Sequence, residues 1–450
     1  MKQEYFLSQR LGFTNQQAEK IRQLGVDCFL QNSFQTAADT QMPAFLENAP
    51  KNRKEYRQLR EADEDKKKLY VVMEAMRNVG VSYWWMDKMQ TDEYPLREKM
   101  VLFWHNHFVS GFQKVKSTWA MYRQNQLFRD YAFGNFRELS KRVLFDNAMI
   151  SYLDNQQNKA KTPNENLSRE LLELFTLGAG NYTEGDIKEG ARALAGLNLS
   201  DEGGRYYKIW EDNSPKIYLG KTGNWKADDV IDIIFQQPKA AHRITEKLLK
   251  HFVSDNLSSI PSGALMVNEY AEFLKKQNFE IKPFLEKMVR DERFLKSAGE
   301  KIKDPLTFIL QTHHEFQLPL PQAKRLVPYF NGQGMVLLNP PNVKGWDGGR
   351  TWLSSQKLIQ RISIVGILSN GKNTMDADKM PKINWDKSLK NNKDIIKSLT
   401  DRLVFNVSKD MQTDMEQILK HDFKPSETNA TQAVTRLAEY VMKSPEFQVY

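Results

Sequence analysis

Cysteine is almost missing from this 450-residue chain: Cys28 stands alone. A single thiol excludes an internal disulfide framework and any cysteine-cluster metal site. Its neighbours Val26, Phe29 and Leu30 suggest a buried, inert side chain. Long hydrophobic runs are missing too, since nothing approaches the roughly 18 uncharged apolar residues that a membrane span requires. Met1–Tyr5 opens without a charged region leading into an apolar one, so no secretory leader is read. A cytoplasmic location is therefore expected, with a periplasmic or exported one as the alternative if a leader was trimmed. The familiar catalytic signatures are absent: no dinucleotide fingerprint, P-loop, HExxH, GxSxG or Cys/His zinc spacing. Alternating strand–helix units are absent as well, which argues against Rossmann and TIM architectures.

What is present is ordinary for a soluble globular protein, with 40% hydrophobic and 27% charged residues. The net charge of +9 would imply an acidic partner only if it were clustered. It is not: Lys51–Lys68 mixes both signs, and the lysines from Lys372 to Lys393 are scattered through polar sequence. No basic-and-aromatic platform of the kind that binds single strands is seen, so nucleic acid is not an expected partner.

Helical periodicity runs through most of the chain, and only 205–220 carries a convincing strand signal. There Arg205–Trp210 and Lys216–Leu219 read as the two arms of a β-hairpin. The expected fold is mainly α, a multi-helix bundle-like globular domain with one small hairpin. The expected organisation is a single domain over 1–450, with 370–392 as a mobile, lysine-rich insertion. Lobes 1–200 and 221–450, joined by the hairpin, are the finer division.

The stretch 164–178 reads as a strongly amphipathic helix. Leu167, Leu171, Leu174 and Phe175 share one side, while Glu165, Arg169 and Glu173 fall at i, i+4, i+8 on the other with Glu170 at its edge. Asn164 is the expected cap and Gly178 the stop. Such a stripe is either ordinary surface pairing or the wall of a polar cleft, where carboxylates could transfer protons or hold a metal.

Two other stretches bear on that choice. Pro95 opens a helix that ends in His105-Asn106-His107. Histidines two apart lie about 200° apart on a helix, so they do not share one metal; one is expected to face the core and the other a cleft. A divalent metal is thus not supported by ligand spacing. The run 339–349, with Pro340, Pro341, Gly345, Gly348 and Gly349 around Trp346, cannot be helix and is either a packing loop or a binding loop.

Together, Phe103-Trp104-His105-Asn106-His107-Phe108, the 164–178 run, Tyr182-Thr183-Glu184 with Ala191–Leu194, Lys247 through His251-Phe252, Pro340–Trp346 with Gly348-Gly349, and Ser444–Gln448 resemble domain-of-unknown-function family 1800. The resemblance covers almost the whole chain in the family's motif order. It implies a bacterial, mainly helical domain, and a neighbour protein similar to the alkaline phosphatase and sulfatase group as partner. Two positions depart from the family: Phe175 and Glu211-Asp212 stand where relatives often carry a histidine.

The first functional expectation is a helical accessory or assembly partner of another protein. The alternative is a hydrolase or metal-assisted enzyme acting on an anionic or sugar-like substrate. In that reading Glu165, Glu170 or Glu173 is a base or metal ligand, His105 or His107 a second acid/base group, and Arg169 an anchor for the anion. The binding candidates are Asn164 at the helix start, and Asn342, Lys344 and Trp346 in the Pro/Gly loop.

Overall fold

A computed structural model describes residues 1–260, 263–321, 323–370, 381–389, 391–422 and 430–450. The chain is mainly helical, as its periodicity predicts. Short polar side chains set many of the helix starts by accepting otherwise orphan N–H groups. Asp63 accepts from Lys66 N, Ser117 from Ala120 N, Asp146 from Met149 N and Asp304 from Thr307 N. Thr183 and Asp186 close a reciprocal capping box at the start of Glu184–Ala193. Pro238 and Pro305 occupy first turns, where a missing N–H costs nothing.

The segment 197–223 differs from the expected hairpin. Its two strand-like runs do not pair with each other. Leu197–Asn198 pairs with Arg205–Tyr206, and Lys216–Tyr218 pairs with Lys221–Gly223, giving two small antiparallel ladders. The reason is local: Gly203, at φ 131°, lies in the link between the first pair of strands, and Gly220, at φ 80°, in the tight turn between the second. The second half of the first run, Lys208–Trp210, is a short 3-10 turn rather than strand.

The helix Leu96–His107 is the centre of the packing. Every residue in it except Arg97 and Asn106 is buried, the polar Glu98, Lys99, His105 and His107 included. Two charges ride inside with it. Glu98 takes a two-pronged contact from Arg129 at 2.7 and 2.8 Å and the Trp85 Nε1–H at 2.9 Å. Lys99 lies over the rings of Phe13 at 4.7 Å and Tyr450 at 5.6 Å, and burial lowers its amine to about 8.

Remote parts of the chain are sewn together by a buried cation. Arg10 donates to the carbonyls of Phe252, Val253, Ser297 and Tyr450 at 2.6 to 2.9 Å. Four acceptors offset much of the desolvation of a guanidinium, though burial still lowers it to about 10. The expected insertion 370–392 lies partly outside the described residues. Within 381–389, Lys382 N–H donates to Phe316 O at 3.1 Å and Ile383 is buried.

Cys28 corrects the sequence reading. It is exposed, because Phe29, Leu30 and Ser33 take the inward face of Val26–Gln35. Among the described residues, no helix is long and apolar enough to cross a membrane.

Candidate functional site

The central stretch 164–178 is not one regular helix. Asn166–Glu170 is α-helical, but Leu171–Thr176 widens into a π-turn. There Leu177 N and Gly178 N both reach back to Leu172 O, and the Thr176 hydroxyl bonds Leu171 O at 2.5 Å. π-turns inside helices recur at functional sites. This one rotates everything after Glu170 out of the i, i+4 register.

The charged stripe is split in consequence. Arg169 pairs with Glu165 at 3.1 Å and, by a fork of two bonds at 2.9 and 3.0 Å, with Glu184. Glu173 instead accepts from the Tyr182 hydroxyl at 3.1 Å. Glu170 is half-buried; burial raises its carboxyl, and the neighbouring Glu173 raises it further. Asn164 accepts from Asn166 N–H at 3.0 Å, from a position two residues ahead of the helix. Neither His105 nor His107 is hydrogen-bonded to these carboxylates among the described residues.

The two histidines part company, as a rotation of about 200° between them dictates. His105 sits in the core between Trp85 and Trp346, with ring centres 5.6 and 5.7 Å away, and burial lowers it to about 3. His107 is also buried, yet it forms part of the wall of a cavity of about 880 Å³. The cavity lies between Leu96–His107, the helix Pro238–Phe252, the segment 299–304 and the loop 344–352. Lys344 and Trp346 line it; His105, Asn164, Asn342 and the 165–173 carboxylates do not.

A clamp fixes the loop to the histidine helix. Asn106 Oδ1 accepts from Trp346 N–H at 2.7 Å, and Asn342 Oδ1 accepts from Lys344 N–H at 2.8 Å to turn the chain. Gly345 has φ 87°, and a Cβ there would collide with Asn106 Oδ1 and stand 2.8 Å from Asn106 O. So the Pro/Gly loop is a packed structure at its base. Its rim carries Lys344, Asp347 and Arg350, all exposed and without an ion-pair partner among the described residues.

Sequence reasoning missed the opposite wall. Arg243, Lys247 and His251 recur at i, i+4, i+8 on Pro238–Phe252 and all line the cavity; that polar stripe in an amphipathic helix was the available signal. Lys247 Nζ lies 3.2 Å from His107 Nδ1 and donates to Leu174 O at 3.2 Å, on the π-turn. Burial, then the charge of Arg243, lowers its amine to about 7. Burial holds His107 well below its usual range, helped by Lys247 and Arg243, so its ring is neutral.

A larger cavity, about 1270 Å³, lies elsewhere, with Lys51, Trp119, Arg123 and Asp146 among its lining, and contains none of the candidates read from sequence. Among the described residues no three His, Cys, Asp or Glu side chains converge as metal ligands would.

The chain belongs to the family described as Protein of unknown function (DUF1800), whose model matches residues 7–449. No curated protein and no solved structure matches it.

Proposed function

We propose that this DUF1800 member is an accessory protein that engages a partner through the 339–353 loop and the cleft behind it. The observation that carries this reading is the rim of Lys344, Asp347 and Arg350, charged side chains without ion-pair partners among the described residues on a loop that Asn106 locks to the core. A rigid scaffold holding exposed charges at a cleft mouth is a recognition surface in which little ordering cost remains. The stripe on 165–173 supports the same choice, because Arg169 is committed to Glu165 and Glu184 rather than free to anchor a substrate.

The first partner to offer is the sulfatase- or phosphatase-like protein that the family resemblance implies. The tagged full chain is expected to retain it in co-purification, and Lys344→Glu with Arg350→Glu is expected to abolish retention at unchanged melting temperature. Retention by the double variant equal to the parent refutes the reading.

One observation favours the hydrolase alternative. Lys247, with an amine near 7 beside a neutral His107, has the character of a general base. Turnover of phosphate or sulfate esters that Lys247→Met abolishes, without loss of fold, would put that reading first.

A further inference from the structure

Arg243 and Lys247 stand one turn apart on the same face of Pro238–Phe252, and the charge of Arg243 bears on the Lys247 amine. Like charges at this spacing repel, and half-buried cations call for counter-charges. Glu246 is a partial counter-charge: it is bonded to Lys250 at 2.7 Å and forms a long ion pair with Arg243 at 3.8 Å. Among the described residues, the hydrogen-bond partners of Lys247 Nζ are a neutral ring nitrogen and a carbonyl. Arg243 Nε is buried without a hydrogen-bond partner among the described residues.

His107 supplies a third donor. In the tautomer whose Nδ1 accepts from a charged Lys247, the ring proton sits on Nε2. That atom is buried at 2% residue exposure and has no hydrogen-bond partner among the described residues. Trp346 Nε1, another buried and unpartnered N–H, belongs to the same cavity lining. These donors come from three separate segments, hence from several directions. A planar carboxylate presents two oxygens in one plane; a tetrahedral oxyanion presents three or four and meets donors spread in space.

We propose that the floor of this cleft is a tetrahedral-oxyanion site, in which Arg243, Lys247 and His107 grip a phosphate or sulfate group borne by the ligand or partner. This rests on the cleft being a binding surface, and it identifies the chemistry recognised there. Lys344, exposed on the facing loop, adds a cation at the mouth.

The test titrates the full-length protein calorimetrically with inorganic phosphate, inorganic sulfate and acetate, at matched ionic strength. Saturable binding of phosphate or sulfate, with acetate at least tenfold weaker, is expected; which of the two binds tighter distinguishes a phosphate from a sulfate ligand. Lys247→Met and Arg243→Met should each weaken binding at least tenfold, and Lys276→Met, on an exposed helix end, should not. Equal responses to all three anions, or parent-like binding by Lys247→Met, overturn the site. A second readout needs no variant: phosphate or sulfate should protect Lys247, and not Lys276, from acetylation by acetic anhydride, read by peptide mass spectrometry. Partner retention that depends on Lys344 and Arg350 while no oxyanion binds would leave the accessory reading standing and refute this one.

Discussion

Lys247 and His107 meet across the cleft floor with their nitrogens 3.2 Å apart, joining the helix Pro238–Phe252 to the end of Leu96–His107. The contact places an amine lowered to about 7 by burial against a ring kept neutral by the same burial. Charge at this point is therefore costly in the folded chain and free in the unfolded one. The same conflict between burial and charge recurs at other groups, and each instance is open to measurement.

Stability should rise with pH between about 7 and 10.5 on account of Lys247. In that window the unfolded amine, near 10.5, still holds its proton while the folded one has released it. The expected gain is about 1–2 kcal/mol, less than the full shift implies because the side chain is half-buried and screened by water. Urea unfolding at pH 7 and pH 9.5 should show a larger rise in the parent than in Lys247→Met, where Lys99, lowered to about 8, still contributes. An identical pH slope in both proteins would refute the assignment.

Asp146 should act in the opposite sense at acid pH. Burial raises its carboxyl from 3.8 to about 6. As pH climbs from about 4 to 6 the unfolded chain gives up this proton first, so the group's contribution to stability falls by about 2–3 kcal/mol. In Asp146→Asn the amide would still offer one oxygen where Oδ2 now accepts from both Met149 N–H and Gln124. The variant should therefore gain on the parent as pH rises through this window, measured as the difference in unfolding free energy at pH 4 and pH 6.5.

Breaking the buried pair beside the central helix should be severe. Arg129→Met strands Glu98, 2% exposed and left with the Trp85 N–H as its side-chain donor, at a cost of about 3–5 kcal/mol. The double substitution Glu98→Leu with Arg129→Met should recover much of that loss, because it removes the stranded carboxylate. Equal destabilisation by the single and double variants would show that packing, not charge, sets the cost.

Gly345→Ala should loosen the loop at its clamp. The site needs a positive φ and leaves no space for a methyl against Asn106. We expect a loss of about 1–3 kcal/mol and faster amide exchange at Trp346, whose N–H is bound by Asn106 Oδ1. Asn106→Ala should give the same exchange signature without adding a side chain. Unchanged exchange in both would separate the loop's order from this bond.

The chain's helices were legible because their signals are local. Apolar residues recur at helical spacing, and Asp63, Ser117, Thr183 and Asp304 sit where an N-terminus needs an acceptor. The opposed directions of His105 and His107 followed from the same geometry. Local signals failed where the backbone departs from ideal winding. An unbroken 164–178 helix would place Glu173 beside Arg169, but the π-turn sends Glu173 to Tyr182 and leaves Arg169 to Glu184, fifteen residues away.

The sequence by itself determined the helical class, several caps, the family, and the fact that Pro340, Pro341 and Gly345 lie in a non-helical loop. Only the tertiary structure decided which polar residues face one another. Nothing local marks Arg243 and Lys247 as a site until Leu96–His107 and the 344–352 loop close over them, and Glu165 and Arg169, candidates for a cleft wall, lie outside this cleft. The reason is physical: helix periodicity and capping act within a few residues, whereas burial, the field of a neighbouring charge and the fit of Gly345 against Asn106 depend on segments more than a hundred residues apart.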